Sequence, residues 1–393
     1  MPSPMFTAHH PAHRPSRSLR QAIRPGVLWL HRWLGLTLGL ALVLAGLSGS
    51  LLVFHHEIDA ELNPQLVHNA VPCVAPLDVA SAVASLQRVW PQAKVSSVYL
   101  PSHAGASYGL YFKSPGVADN EAMLDSCSGA LLGSRNREEV GFDAPHLVPT
   151  LLRWHNSLLQ GKPGRVALGW LALAWVALLI AGLLLAWPTP NSTPGWKRAL
   201  RVNLRQNAYR SHFDLHRSAG LLAIVLMLVV AVTGFYNGLP ELGRALVGQV
   251  AAVSAEHRGI AMPAVKQGET TISWNDAKAI AEQHLSDGAV LLALQRQPDR
   301  GLYQVRLRRA DDWQRTGTLR LLIDIRSGAV IETVNPLAGT GGDRFLASLF
   351  PLHSGQFGGA TGRWLMVIAG LLPALFFITG LSTWVLRRRR KSV

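Results

Sequence analysis

The sequence predicts an α-helical membrane protein: four transmembrane helices in two parallel tandem repeats, each repeat carrying an α+β module on the periplasmic side. Three observations predict this fold class. Four uncharged apolar stretches are long enough to cross a bilayer, and the basic residues cluster beside them. The second half of the chain also repeats motifs of the first half at constant offsets.

The four apolar stretches are residues 33–54, 166–187, 218–239 and 364–386, and none of them contains Asp, Glu, Lys or Arg. At a rise of ~1.5 Å per residue, about 20 helical residues cross a hydrocarbon core of ~30 Å. A surface helix of a soluble protein carries charge on its exposed face. We therefore expect four membrane spans, in agreement with a chain of 393 residues that is 49% hydrophobic and 16% charged.

The formal net charge of +15 is concentrated in residues 14–24, 197–210 and 387–391. An even number of spans places both termini and the middle loop on one side of the membrane, and the positive-inside rule makes that side cytoplasmic. This placement predicts anionic lipid, rather than nucleic acid, as the partner of the excess charge. The first apolar run is too long for a cleaved signal, so we expect a retained anchor.

These signals divide the chain into nine segments. They are a cytoplasmic basic tail (1–26), the first span (27–54), the first periplasmic module (55–163), the second span (164–187), a cytoplasmic basic loop (188–215), the third span (216–239), the second periplasmic module (240–361), the fourth span (362–386) and a second cytoplasmic basic tail (387–393).

The duplication is visible as pairs of matching positions. Aligning His31 with His216 matches Arg32 with Arg217, Gly35 with Gly220, Ser48 with Thr233, and Gly49 with Gly234. Aligning His155 with His353 matches Gly161 with Gly359, Gly164 with Gly362, Arg165 with Arg363, and Gly182 with Gly380. Since both copies begin on the inner side, the axis that relates them runs along the membrane normal.

Each outer module contains a predicted β-hairpin. The segments "LDSCSGALL" from Leu124 and "IDIRSGAVI" from Ile323 both place a Ser-Gly turn between apolar strands. The segment "ISWNDAKAIAEQHL" predicts a helix capped by Ser273, with a weaker counterpart in the first module. Cys73 and Cys127 lie in the first module, where a disulfide is permitted and free thiols remain an alternative.

Four of the 15 histidines occupy repeat-related positions. An axis along the membrane normal brings equivalent positions to the same depth, so it places His31 opposite His216 and His155 opposite His353. Two imidazoles facing each other across a bundle are the axial ligands of a b-type haem. We therefore predict an inner haem on the first pair and an outer haem on the second.

Other residues extend this prediction or compete with it. The possible partners of the haem propionates are Arg32 and Arg217 on the inner side, and Arg153, Arg165 and Arg363 on the outer side. His55 and His56 are rival ligands for the outer haem, although they have no repeat mate. Because ~36 Å of helix separates His31 from His55, these two cannot share one haem. Zinc is a weaker alternative at the pairs, since cysteine and carboxylate ligands are absent around them.

The segments "WLHRWLGL", "DLHRSAGL" and "IDIRSGAVI" resemble the PepSY-associated transmembrane helix family, and the resemblance covers nearly the whole chain. It implies an iron-regulated inner-membrane protein with periplasmic PepSY-like modules. For some members it implies reduction of ferric siderophores, and the ferrioxamine-utilisation reductase type is the nearest match. By its motif, the resemblance implies that His31 and His216 are haem ligands, and it implies the same less directly for His155 and His353.

The predicted function is therefore that of a di-haem b-type reductase that moves electrons from the cytoplasmic or membrane side to a periplasmic ferric siderophore. The electron donor, a quinol or a reductase, is a separate molecule, because the chain has no dinucleotide-binding fingerprint. Three alternatives stay open: a non-enzymatic module that regulates a periplasmic protease, a cytochrome b subunit for another acceptor, and an iron or siderophore transporter.

Overall fold

The computed structural model describes residues 19–69, 71–188, 191–255, 260–285 and 288–389. Its α-helices are α1 (Leu19–Leu52), α2 (His55–Leu62), α3 (Pro64–Val67), α4 (Val79–Val89), α5 (Ala144–Ser157), α6 (Lys162–Ala186), α7 (Thr193–Leu200), α8 (Ala208–Gly238), α9 (Pro240–Gly248), α10 (Trp274–Gln283), α11 (Gly341–His353) and α12 (Gly359–Arg389). Its strands are β1 (Lys94–Tyr99), β2 (Tyr108–Lys113), β3 (Glu121–Leu124), β4 (Leu131–Arg135), β5 (Val290–Gln297), β6 (Leu302–Arg308), β7 (Leu319–Asp324) and β8 (Val330–Val334).

Four helices are long and apolar enough to cross a membrane: α1, α6, α8 and α12. The prediction of four such helices is confirmed, and each helix extends beyond its uncharged stretch into the flanking polar sequence. Helix α1 packs on α6 and α12, and α8 packs on the same two helices, so the four form a closed bundle. Backbones meet at Gly46 with Gly370 and at Gly169 with Gly238, where a Cβ atom would collide with the opposite helix.

The strands form one antiparallel sheet in the order β4-β3-β2-β1-β5-β6-β7-β8. The two outer modules, which the sequence suggests as separate units, are thus joined edge to edge. Strands β1 and β5 make this seam, with Val98 opposite Leu294. Helices α4 and α10 cover one face of the sheet, and the side chains between them, such as Leu110 and Leu321, are fully buried.

Local sequence explains the turns and helix starts in this domain. Both predicted Ser-Gly turns are present, with Gly129 at φ 71° and Gly328 at φ 74°, a backbone region that favours glycine. The predicted cap is also present, because the Ser273 hydroxyl accepts from the backbone N–H of Asp276 in a capping box.

Polar contacts fix the sheet domain to the outer end of the bundle. The buried Arg135 guanidinium on β4 binds both carboxylate oxygens of Asp59 on α2, at 2.8 and 2.9 Å, and also binds Glu121 at 2.6 Å. A disulfide joins Cys73 to Cys127, which settles the alternative that the sequence left open. These contacts hold the segment after α1 against the sheet.

Candidate functional site

The inner pair of histidines lies within the bundle. His31 projects from α1 and His216 from α8, and their ring centroids are 6.1 Å apart with an angle of 86° between the ring planes. Both residues lie well inside their helices rather than at the helix starts. The two imidazoles, which lie at matching positions of the sequence alignment, are therefore neighbours in the bundle, with their planes nearly perpendicular.

The outer pair lies on the short helices that precede α6 and α12. His155 on α5 and His353 on α11 have ring centroids 6.3 Å apart and planes tilted by 39°. The turn after α5 contains Leu158 and Leu159 at φ 51° and 59°, which is an unfavourable conformation for residues with a side chain. This turn sets the orientation of α5 against the bundle, and hence the position of His155.

The repeated glycines make room for the histidine rings. In each case a glycine on a neighbouring long helix faces the Cε1 atom of one ring, so a Cβ atom built there would lie 2.9–3.5 Å from it. The four contacts are Gly182 with His31, Gly380 with His216, Gly49 with His155, and Gly234 with His353. An imidazole ring therefore fills the space beside each of these glycines.

Every histidine of the two pairs is held through its Nδ1 atom. Hydroxyl groups lie 2.9–3.0 Å from three of the Nδ1 atoms: Ser48 beside His155, Thr233 beside His353, and Thr379 beside His216. Each hydroxyl donates its own hydrogen to a backbone carbonyl one turn earlier in its helix. The hydroxyl oxygen therefore accepts from Nδ1–H.

The Nδ1–H of His31 is also hydrogen-bonded, but its acceptor is a backbone carbonyl and not a hydroxyl. Its Nδ1 lies 3.1 Å from the carbonyl oxygen of Leu178, and a carbonyl can only accept. The position equivalent to Thr379 in the first repeat is Ala181, which has no hydroxyl to offer. All four imidazoles thus carry hydrogen on Nδ1 and a lone pair on Nε2, which is the tautomer that binds a metal.

The distances test whether each pair fits a metal held between its two rings. Two imidazole–metal bonds of about 2.0 Å, with half a ring on either side, correspond to centroids about 6.4 Å apart. The observed 6.1 and 6.3 Å agree with this spacing. Among the described residues, no group of three or more His, Cys, Asp or Glu side chains is placed to hold a metal ion. The centroid spacing of each pair is compatible with a group that takes two axial imidazoles.

A cavity of about 570 Å³ opens at the inner pair. This volume is within the range of pockets that hold organic cofactors. Its walls are mainly apolar, with both histidines on its surface. Its lining also includes basic residues at the inner ends of the helices: Arg24, Arg32, Arg217, Arg387 and Arg388. The cavity can accept a large apolar molecule that ends in anionic groups.

The predicted arginine partners differ in their placement. Arg32 lines the inner cavity, and so does Arg217, although Arg217 also binds the buried Asp214 at 3.1 Å and the carbonyl oxygens of residues 198 and 199. On the outer side, Arg153 donates to the carbonyl oxygen of Glu138 and Arg165 is exposed to solvent.

The remaining outer candidates lie beside the junction of α1 and α12. Arg363 binds Glu57 at 2.7 Å and lies over the ring of Phe54. His55 and His56 pair with each other, at a centroid distance of 4.0 Å, and the Nδ1 of His55 donates to the carbonyl oxygen of Leu52. The structure thus brings His155 to His353, while the two rival histidines form a separate contact.

Burial keeps the outer pair neutral. Desolvation lowers the pKa of His155 below its usual value. Desolvation and, to a smaller extent, the proximity of His155 lower the pKa of His353 to about 4. Both rings are therefore neutral at neutral pH, so neither pays the cost of a buried charge.

The comparisons with known proteins agree with this architecture. The sequence model of the PepSY-associated TM region matches residues 28–387. The chain belongs to this family. The match includes α6, α8, most of α1 and α12, and the whole sheet domain. No curated protein matches the chain.

Sequence reasoning missed two features of this site. Thr379 precedes Gly380 as Ser48 precedes Gly49, so the alignment contained the signal for a third hydroxyl partner. The basic residues Arg24, Arg387 and Arg388 were attributed to lipid, but they also line the inner cavity. Their placement depends on how α1 and α12 pack, which composition does not reveal.

Proposed function

We propose that this member of the PepSY-associated TM family is a di-haem b-type reductase, which passes electrons through the membrane to a ferric siderophore. One observation carries the proposal: four imidazoles form two facing pairs, and each ring is held at Nδ1 with Nε2 directed away from that hydrogen bond. Haem b suits such pairs because its iron takes two axial imidazoles.

The residues of the chain have distinct parts in this proposal. His31 and His216 hold the inner haem, and His155 and His353 hold the outer haem. When bound, a bis-histidine haem supplies reversible one-electron transfer. The apolar wall of the inner cavity excludes water, and Arg24, Arg32 and the other basic residues at its rim neutralise the propionates.

The orientation proposed is that of a bacterial inner-membrane protein with cytoplasmic termini and periplasmic outer loops. Basic residues lie at the ends of α1 and α12 and in the loop between α6 and α8, and they favour the cytoplasmic side and anionic lipid. The disulfide in the sheet domain supports an oxidising compartment for the opposite side. The similar order of elements in the two halves, with a long helix, a four-stranded unit, a short helix and a second long helix in each, supports a tandem duplication.

In the reaction proposed, one electron converts Fe(III) bound to a siderophore into Fe(II). Hard oxygen ligands hold Fe(II) less firmly, so the metal is released and the siderophore stays intact. The reductant is a separate donor, either a membrane quinol or a cytoplasmic reductase.

The visible spectrum of the purified, detergent-solubilised chain tests this proposal. Expression with adequate haem should give about two haems per chain, with split α and β bands after reduction by dithionite. His31→Ala and His216→Ala should each remove one haem and keep the other, while His68→Ala, in the outer domain, should keep both. A colourless preparation contradicts the proposal and favours a non-enzymatic module.

The substrate requires its own measurement. Reduced protein should be reoxidised by a ferric siderophore, and Fe(II) should then appear in a ferrous-specific chelator. Intact haem spectra without reoxidation would instead favour a cytochrome b subunit for another acceptor. Variants that lose the outer haem should lose this reaction, because no haem then lies next to the acceptor.

A further inference from the structure

A pair of adjacent histidines lies where α1 ends and α2 begins, at the outer end of the bundle. The rings of His55 and His56 have centroids 4.0 Å apart and planes tilted by 36°. Side chains one position apart within a helix do not face each other. Here α2 begins at His55, after a turn at residues 53–54 that separates it from α1. This break in the helix allows the two imidazoles to converge.

One of these rings is already arranged as a metal ligand. The Nδ1–H of His55 donates to the backbone carbonyl of Leu52 at 2.7 Å, so the lone pair lies on Nε2. A backbone carbonyl behind the ring is a usual partner that orients a metal-ligating histidine. His56 is exposed to solvent and can turn its ring without disturbing the core. The pair therefore offers one oriented imidazole and one adjustable imidazole.

The spacing of the rings is close to that of two ligands at neighbouring positions around one metal ion. Two imidazole–metal bonds of about 2.0 Å at a right angle, with half a ring on either side, place the centroids about 4.5 Å apart. The observed 4.0 Å requires each ring to move outward by about 0.25 Å. Two ligands at neighbouring positions leave the rest of the coordination sphere open. His55 and His56 are thus suited to a metal that arrives with other ligands.

The charges around the pair disfavour a permanently bound cation. Glu57, the next residue, binds Arg363 at 2.7 Å and Arg315 at 3.6 Å. Two guanidinium groups and one carboxylate therefore lie beside the histidines, and their net positive charge repels a bare divalent cation. Among the described residues, no group of three or more His, Cys, Asp or Glu is placed to hold a metal ion. The pair should consequently hold a metal weakly and release it again.

The pair also lies near the outer histidines. His55 follows Gly49 by six residues, or about 9 Å at helical rise, and Gly49 faces the ring of His155. Helix α2 packs on α5, the helix that carries His155. A metal held by His55 and His56 is thus within roughly two helical turns of the outer pair.

We propose that His55 and His56 take over Fe(II) from the chelate that the outer haem has reduced. The inference rests on the proposed reductase function and adds an acceptor site for its metal product. Hard oxygen ligands suit Fe(III), whereas imidazole is a suitable ligand for Fe(II). The transfer itself moves no electron: two bonds from iron to oxygen atoms of the chelate break, and two bonds to imidazole nitrogens form. Water fills the positions that the rest of the chelate vacates.

Anaerobic calorimetry with Fe(II) sulfate tests this inference on the haem-loaded full chain, in detergent and without a histidine tag. The natural chain should bind about one equivalent. His55→Gln and His56→Gln should each weaken binding by at least about tenfold, since even the loss of an outer-shell partner costs about that much. The sequence has one other pair of adjacent histidines, His9 and His10, in the basic tail that precedes the described residues. Changing both of these to Gln is the matched control, and it should leave binding unchanged.

The haem spectrum of the same samples separates this inference from the reductase proposal. His55→Gln and His56→Gln should keep both haems, because neither ring is an axial ligand. Loss of the outer haem in either variant would make that histidine a haem ligand and would overturn the inference. Fe(II) binding that is unchanged in both variants, or that disappears with the change at His9 and His10, also overturns it. A colourless natural chain contradicts the reductase, while the dependence of metal binding on His55 and His56 is still measured.

Turnover gives a readout that a merely structural role would not change. With a ferric siderophore as substrate and a ferrous-specific chelator present, haem reoxidation and the appearance of Fe(II) are followed together. In His56→Gln the delay between the two should lengthen, because the metal then leaves the siderophore without its imidazole acceptors. An equal delay in the variant and the natural chain would show that the histidines do not receive the metal.

Discussion

Gly182 and Gly380 offer a matched test of how tightly the inner histidines are held. A Cβ atom at Gly182 would lie 2.9 Å from Cε1 of His31, whereas one at Gly380 would lie 3.4 Å from Cε1 of His216. In each case the atoms nearest to this Cβ position belong to the facing histidine ring. Replacing each glycine by alanine therefore makes the same chemical change at two sites that differ in the distance from the new Cβ atom to the histidine ring.

The gaps predict opposite effects on stability. Carbon atoms in contact are best separated by about 3.5–4.0 Å, so Gly182→Ala requires His31 to retreat by at least about 0.6 Å, and Gly380→Ala requires only about 0.1 Å. Overpacking of this kind costs about 1–3 kcal/mol. Alanine in a helix is favoured over glycine by about 0.5–1 kcal/mol at both sites. Gly380→Ala should thus be neutral or stabilising, and Gly182→Ala neutral to destabilising by up to about 2.5 kcal/mol.

Haem binding at the inner pair should be more sensitive to these substitutions than the stability of the fold. Functional constellations tolerate displacements of about 0.5 Å, a limit that Gly182→Ala exceeds. We expect this variant to lose much of the inner haem while the outer haem remains, and Gly380→Ala to keep both. Haem content per chain from the visible spectrum, with the thermal midpoint of the same sample, measures both effects. Equal haem content and equal midpoints in the two variants would refute the reasoning.

Three further predictions concern other contacts. Thr379→Val removes the acceptor of the His216 Nδ1 hydrogen, which should cost about 1 kcal/mol of stability and shift the reduction potential of one haem only; a shift in both would contradict this. Arg135→Gln leaves Asp59 without its cation, while Glu121 keeps Arg137, and should lower the unfolding free energy of the outer domain by about 3–5 kcal/mol in a denaturant titration. Reducing the Cys73–Cys127 disulfide should lower the stability of that domain by about 2–5 kcal/mol, so an unchanged unfolding midpoint with reductant would count against a structural bond.

The features predictable from the sequence are those governed by local rules. Uncharged length indicated the four long helices, because charge inside a bilayer is costly. The Ser-Gly turns at Gly129 and Gly328 followed from the need for a left-handed residue between two apolar strands. The facing histidines followed from repeat offsets combined with an axis along the membrane normal, and the structure brings the rings within 6.1 and 6.3 Å.

Features that depend on distant partners were not predictable. The seam between β1 and β5 needs two strand edges to meet, and an edge strand has no distinct pattern of its own. The Nδ1 hydrogen of His31 is accepted by the backbone carbonyl of Leu178. Every residue has such a carbonyl, so the residue type at position 178 does not indicate this contact. Arg217 appeared available to a propionate, but packing also brings Asp214 and two loop carbonyls to it.

The seam between β1 and β5 also has a consequence for how the chain is made. Ser97 pairs with Gln295, so roughly 200 residues must be synthesised between the two edges. At the usual rates of about 5–20 residues per second, this takes roughly 10–40 s. During that time β1 offers an unpaired edge that could join another chain. The first half therefore needs protection until its own partner strand emerges, and a chain truncated before β5 should be prone to aggregation.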